Sequence, residues 1–297
     1  MKNFEITRQL INHEFPEFNI TTIKKIGEGD DSIAFLFNHN YIFRFPKRKD
    51  VKQSLEKEIA VLPKIKTQLD LEIPNFDFIS KEINFVGYKS INGTFLTKGI
   101  YNSLEKEFQI QIQKSLAVFL SQLHHISLSK LKGCGLKNMN LKEEYSDDFE
   151  DTKKLIFPNI SPANRDIITK LFTAYLSDDK NFEYKPALIH NDFSTDHILF
   201  EISTKKVNGI IDFSDMAIGD PDYDFMYLYG CFGEDFIKSM LKFYEHKNHK
   251  ILLEKLRFFS LANKLQILIR TIKENNQDEI KKNYKTLDKW ICDYKEQ

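Results

Sequence analysis

The sequence predicts an α+β protein of two lobes: a small antiparallel β lobe carrying one main helix, then a larger, mostly helical lobe. Three observations predict it. Through about residue 90, β-branched and aromatic runs alternate with glycine and asparagine turns around a single long helical period. From about residue 100 onward, apolar residues recur at helical spacing. One strand hairpin, "HILFEI" then "STKKVN" then "GIIDF", interrupts that second pattern.

Each element follows from its residues. Phe4, Leu10, Ile11 and Phe15 share one side of a short helix over residues 3–15, stopped near Pro16. "IKKIGEGDDSIAFLF" and "YIFRFPK" read as strands broken by Gly27, Gly29 and the turn "NHN". Val51, Leu55, Ile59, Leu62 and Ile65 mark a helix that Pro63 ends or bends. "FDFIS" and "INFVGYKSI" supply two further strands, and Ser90–Gly93 reads as a hinge. The lobes therefore span residues 1–91 and 92–297. In the second, Phe108, Ile112, Leu116, Phe119, Leu120 and Leu123 line a long helix ending at "LHHI". Residues 164–178 and 235–290 complete the helical reading.

Composition narrows the function. Forty-three basic residues balance 43 acidic ones, so no global field selects nucleic acid or an anionic membrane. With 41% hydrophobic residues, 26 of them Phe, core material is ample. The scattered Cys134, Cys231 and Cys292 form no metal or disulfide spacing and fit a reducing cytoplasm. Glu5 and Arg8 stand where a leader peptide needs its apolar core, and no run approaches the roughly 20 apolar residues of a membrane span. The expectation is a cytoplasmic monomer or weak dimer that binds small molecules.

The chemistry concentrates in "LIHNDFSTDHILFEISTKKVNGIIDFSD", which sets His190, Asp192, Asp196, His197, Asp212 and Asp215 among apolar strands. Strands bury carboxylates where a metal ion or reacting group compensates their desolvation. A hairpin returns its ends to one place, so Asp192, His197 and Asp212 converge on a divalent-metal site with a spare carboxylate. The plainer reading is a set of turn aspartates beside a core histidine. "KKIGEGDDSIAF" offers Gly27 and Gly29, whose backbone N–H groups can approach phosphate, and Ser32 as a hydroxyl donor. An ordinary β-turn is the alternative there, and Asp30 and Asp31 are expected to point away from any phosphate. Arg44 stands mid-strand opposite Phe43 and Phe45, and a buried guanidinium needs an acid, with Glu58 the candidate. A snorkelling edge arginine is the other possibility.

The order of these elements, with "HNDFSTDHILF", "GIIDFSD", "DPDYDF" and "YKSINGTFLT", resembles the aminoglycoside phosphotransferases, and most the 2″-phosphotransferases, over nearly the whole chain. That resemblance implies a bilobal protein-kinase-like fold and transfer of a nucleoside triphosphate's γ-phosphate to a substrate hydroxyl, conferring antibiotic resistance. It implies Asp192 as catalytic base, and His197 and Asp212 as ligands to magnesium. Arg44 then binds phosphate with Glu58 as its partner, and Gly27, Gly29 and Ser32 cover the nucleotide. Asp220 would brace the catalytic loop. Tyr88 falls near the purine pocket and favours GTP over ATP. A histidine ligand softens the metal site, which favours manganese activity.

Seven acids between residues 212 and 235, with no Lys, Arg or His among them, suit a polycationic substrate. Asp196, Asp215, Glu234 and Asp235 are the expected contacts, with an acidic helix start as the alternative. Two departures stand against the resemblance. Ser214 replaces a glycine in "DFSD", and Gly230 and Cys231 stand where relatives carry an acidic pair. The second departure leaves open a kinase for another sugar, amino sugar or choline-like alcohol. A metal-dependent phosphohydrolase is a further alternative, but it leaves Arg44, Glu58 and the glycine turn without purpose.

Overall fold

The computed structural model describes residues 4–29 and 31–295. Asp30 lies outside the described residues. The chain divides into two compact units, Met1–Lys137 with Ser194–Met216, and Asn138–Phe193 with Ala217–Gln297.

The first unit opens with α1 (Phe4–Glu14), then β1 (Ile23–Glu28), β2 (Ser32–Phe37), β3 (Tyr41–Pro46), α2 (Lys49–Ile65), β4 (Phe76–Ile79) and β5 (Val86–Lys89). These strands form one antiparallel sheet in the order β1-β2-β3-β5-β4. The side-chain period of two sorts its faces. Phe35, Phe37, Phe43 and Phe45 are buried on one face, in a core cluster that Ile11 of α1 joins. Arg44 alternates to the other face, toward α2. The "NHN" turn between β2 and β3 holds Asn38 and His39 at φ 50° and 65°, as a tight hairpin turn requires. Asn38 also accepts backbone N–H bonds from Thr21 and Thr22 at 2.8 and 3.3 Å, which fixes the entry to β1. Pro63 lies inside α2, which continues to Ile65 before a 3₁₀ turn over Lys66–Gln68.

The five-stranded sheet ends at Lys89, and the compact unit continues past residue 91 to Lys137. Ser90 donates to the Asn40 carbonyl at 2.8 Å, so the Ser90–Gly93 stretch is tied to the β3 turn. The chain then forms β6 (Thr94–Phe95), α3 (Lys98–Ser103) and α4 (Lys106–His124). The later hairpin of β8 (Ile198–Glu201) and β9 (Lys206–Ile210) pairs with β6 in the same unit. Its turn covers residues 202–205, shorter than the polar run suggested. Gly209 is forced: a Cβ there would lie 2.6 Å from the Glu72 carbonyl oxygen and 2.8 Å from Ile91.

The second unit contains α5 (Leu141–Asp151), α6 (Pro162–Ser177), β7 (Ala187–Ile189), β10 (Ala217–Gly219), α7 (Met226–Phe232), α8 (Glu234–Met240), α9 (His249–Lys273) and α10 (Gln277–Lys295). β7 and β10 pair antiparallel. The stretch read as helical over 235–290 is therefore three helices, with α9 capped by Asn248 through bonds to Lys250 and Ile251. Leu252, Leu256, Phe259, Leu265 and Leu268 bury α9 in the core of the unit. No described helix is long and apolar enough to cross a membrane.

Substitution of Gly209 by Ala should destabilise the protein by about 1–3 kcal/mol, because backbone rather than a flexible side chain blocks the added methyl. Gly230, exposed in α7 with nothing within 4 Å of a built Cβ, is the contrasting control. Ala there should stabilise by about 0.5–1 kcal/mol. Urea and thermal denaturation of both variants check the pair.

Candidate active site

In the first unit, one guanidinium meets two carboxylates. Arg44 Nη1 donates to Glu58 Oε2 at 2.9 Å, and Nη2 reaches Asp212 Oδ1 at 3.5 Å. Glu58 is 0% exposed, and its second oxygen, Oε1, has no hydrogen-bond partner. Burial pushes the Glu58 carboxyl up to about 7, with the Arg44 charge opposing that rise. Burial also works against the Arg44 charge, but Glu58 and then Asp212 outweigh it and raise the guanidinium further. Tyr88 is buried on β5 across from Ile42, its hydroxyl pushed up to about 12 by the same desolvation.

The hairpin explains how Asp212 and His197 meet. His197 closes a 3₁₀ turn over Thr195–His197 directly before β8. Ile211 N–H donates to the His197 carbonyl at 3.0 Å, extending the ladder one step beyond the strands. Asp212 follows at φ 63°, a left-handed conformation that Asp tolerates better than most residues. Its side chain is 39% exposed, with Oδ2 3.6 Å from His197 Nε2. Oδ1 accepts a hydrogen bond from Ser214 Oγ at 2.9 Å.

Gly27 and Gly29 are exposed and have open space around them. Gly29 N–H donates to the Ser32 carbonyl, while Lys47 Nζ holds the Gly29 carbonyl at 2.7 Å. Ser32 Oγ is buried without a hydrogen-bond partner. Asp31 pairs with Arg48 at 2.8 Å in solvent. Asp196 and Asp215 are exposed. Partial desolvation raises the Asp215 carboxyl despite its exposure, and the Asp212 charge adds to that rise.

In the second unit, the loop after β7 carries His190, Asn191 and Asp192. His190 is fully buried. The backbone N–H groups of His190 and Asn191 each donate to one oxygen of Asp224, both at 2.8 Å. Asp192 N–H donates to His190 Nδ1 at 3.3 Å. The residue that braces this loop is therefore Asp224, not Asp220. Asp220 instead caps the 3₁₀ turn Pro221–Phe225 and pairs with buried Lys255. Lys255 also holds Asp222 at 2.6 Å, and His246 lies 2.9 Å from that same Asp222. The even spacing of Asp220, Asp222 and Asp224 gave the sequence no means of separating cap from brace.

Burial thins the acidic stretch. Asp220, Asp222 and Asp224 are buried. Glu234 pairs with Lys238 at 2.8 Å and Arg257 at 3.3 Å, which hold its carboxyl below the usual range. Asp235 is exposed beside it. Asp196 and Asp215 lie in the first unit, and Glu234 and Asp235 in the second.

No described cluster of three or more His, Cys, Asp or Glu residues could hold a metal ion by itself. The Asp212–His197 pair nonetheless fits one: two ligands with bonds of about 2 Å to a shared cation lie roughly 3–4 Å apart, and magnesium commonly takes its other ligands from phosphates and water.

The chain matches the Phosphotransferase enzyme family (APH) over residues 22–259. It belongs to that family. This phosphotransferase is 28% identical to APH(2")-IIia in its GDP and kanamycin complex, with a TM-score of 0.91, covering 97% of this chain and 98% of that one. The gentamicin complex of APH(2")-IIa is 26% identical with a TM-score of 0.79, covering 97% and 96%. Uncharacterized protein YcbJ of Bacillus subtilis (strain 168) is 21% identical over 221 residues, 71% of this chain and 69% of that protein. The phosphotransferase thus has the kinase-like aminoglycoside phosphotransferase fold expected from its motifs.

Replacing Arg44 with Ala leaves Glu58 buried and unpaired, a cost of about 3–5 kcal/mol. The Glu58 carboxyl already titrates above its ordinary value. Between its unfolded and folded values, the folded chain binds more protons, so stability from this group falls as pH rises through that window. Arg44→Ala removes the charge that opposes the rise. Its deficit against the native protein should therefore grow from pH 5 to pH 8, as denaturation at several pH values would measure.

Proposed function

We propose that this phosphotransferase moves the γ-phosphate of a nucleoside triphosphate to a hydroxyl of a small cationic substrate, an aminoglycoside 2″-hydroxyl in the first instance. The observation that carries the reading is the Arg44 guanidinium shared between buried Glu58 and half-exposed Asp212, beside His197. A fixed cation next to a carboxylate and an imidazole suits a polyphosphate bound with a metal ion. The likeness to a GDP and kanamycin complex supports both the nucleotide and the substrate class.

The roles follow from chemistry. Asp192 accepts the proton of the substrate hydroxyl as its oxygen forms the new bond to phosphorus. The bond from the γ-phosphorus to the bridging oxygen breaks, and the nucleoside diphosphate leaves with the electron pair. Arg44 offsets phosphate charge and cannot deprotonate, while Glu58 holds it in register. Gly27, Gly29 and Ser32 lie over the phosphates. Tyr88 borders the purine, with GTP favoured over ATP. Asp212 and His197 are the residues that would hold magnesium, which when bound neutralises phosphate charge; the imidazole makes manganese an effective replacement. Asp196, Asp215 and Asp235 are the exposed acids offered to substrate amines. Glu234 joins them only by giving up Lys238 and Arg257.

That occupied Glu234, together with Gly230 and Cys231 where relatives carry an acidic pair, favours a second reading: a kinase of a less charged sugar, amino sugar or choline-like alcohol.

Release of GDP or ADP, measured against kanamycin- and gentamicin-type compounds, simple sugars and choline, separates the two. Strong stimulation by an aminoglycoside supports the first reading. Stimulation by a sugar or choline alone supports the second. Asp192→Asn should lower turnover by about 10²–10⁴-fold while leaving nucleotide affinity within a few-fold, since general-base catalysis contributes that much. Unchanged turnover in this variant would remove Asp192 from the mechanism.

A further inference from the structure

We propose that Ser214 is a positioning residue for Asp212, its hydroxyl holding the carboxylate so that the second oxygen faces His197. The inference rests on the roles proposed above for Asp212 and His197 as cation ligands.

An aspartate side chain 39% exposed on a loop would ordinarily sample several rotamers. Here the turn beneath it is anchored. Phe213 is fully buried, and Met216 N–H donates to the Phe213 carbonyl at 3.2 Å. From α2, Lys57 Nζ donates to the Met216 carbonyl at 2.8 Å. Ser214 lies between these fixed points and is 8% exposed. Its Oγ reaches out of the anchored turn to Asp212 Oδ1 at 2.9 Å.

The carboxylate is thereby divided. Oδ1 takes the Ser214 hydroxyl and faces the Arg44 guanidinium, whereas Oδ2 faces His197 Nε2 at 3.6 Å. A hydrogen bond to an ionised acceptor is among the stronger ones a hydroxyl makes. Glycine at this position could not supply it. The hydroxyl therefore pre-orients one oxygen toward the cation position, a cost otherwise met when the cation binds.

The test titrates Mn²⁺ into the full-length protein with a non-hydrolysable GTP analogue, reading free Mn²⁺ by electron paramagnetic resonance. Ser214→Ala and Ser214→Gly should both weaken Mn²⁺ binding about tenfold, the scale of one charged hydrogen bond. Ser214→Thr, which keeps the hydroxyl, should bind within about twofold of the native protein. The metal-free Tm of the Ala and Gly variants should stay within about 2 °C, as expected for a bond that orients rather than packs. Equal or tighter Mn²⁺ binding in Ala and Gly overturns the proposal. So does a loss of binding that tracks a fall in Tm and that Thr does not restore. Absence of Mn²⁺ binding in the native protein overturns the cation-ligand roles themselves, and the native titration distinguishes that failure from one seen only in the variants.

Discussion

The first unit depends on one ion pair withdrawn from water, Arg44 with Glu58. Desolvating both charges costs several kcal/mol, and the pair is tolerable only if its geometry is satisfied. That condition reaches back into sequence. β3 must alternate so that Phe43 and Phe45 enter the aromatic core while Arg44 emerges on the α2 face. α2 must then present Glu58 at the matching level, 2.9 Å away. A guanidinium suits this place better than an ammonium because its planar fork offers separate N–H groups to two acceptors. One nitrogen serves Glu58 and another faces Asp212. The same residue thus supports the fold and sets a fixed charge beside Asp212.

Much of this was legible in the chain. The two-lobe pattern, the tight "NHN" turn and the pairing of Arg44 with Glu58 could all be read from alternation and from the rule that buried charges pair. The hairpin also forecast that Asp192, His197 and Asp212 would converge; His197 and Asp212 do meet, whereas Asp192 belongs to the other compact unit. What it could not show was the last step, because β9 ends at Ile210 and Asp212 sits beyond it in a left-handed conformation. β7 and β10 escaped notice because each has three residues, too few for periodicity to register. α5 was missed for a different reason: its "LKEEYSDDFED" is dominated by charge, and only Leu141 and Tyr145 are buried.

The acidic stretch shows a second limit. Composition sees charge but not where it points. Within "DPDYDF", three aspartates alternating with bulky residues resemble a solvated face. In the fold they are internal fittings: a helix cap with a lysine partner, a carboxylate shared by Lys255 and His246, and a clamp on two backbone N–H groups. Local acidity available to a cationic ligand is correspondingly smaller than a count of residues implies. The structure moves the question of substrate from the number of acids to the few that face solvent.

β1 carries a consequence of another kind. It is an outer strand of the five-stranded sheet and is exposed along nearly its whole length. A bare strand edge invites pairing with a second chain. The strand answers with Lys24, Lys25 and Glu28, and with a register break between Lys25 and Gly27 that spoils a regular ladder. The residue left out of register is Ile26, so the irregularity beside Gly27 makes this exposed edge a poorer template for a second chain.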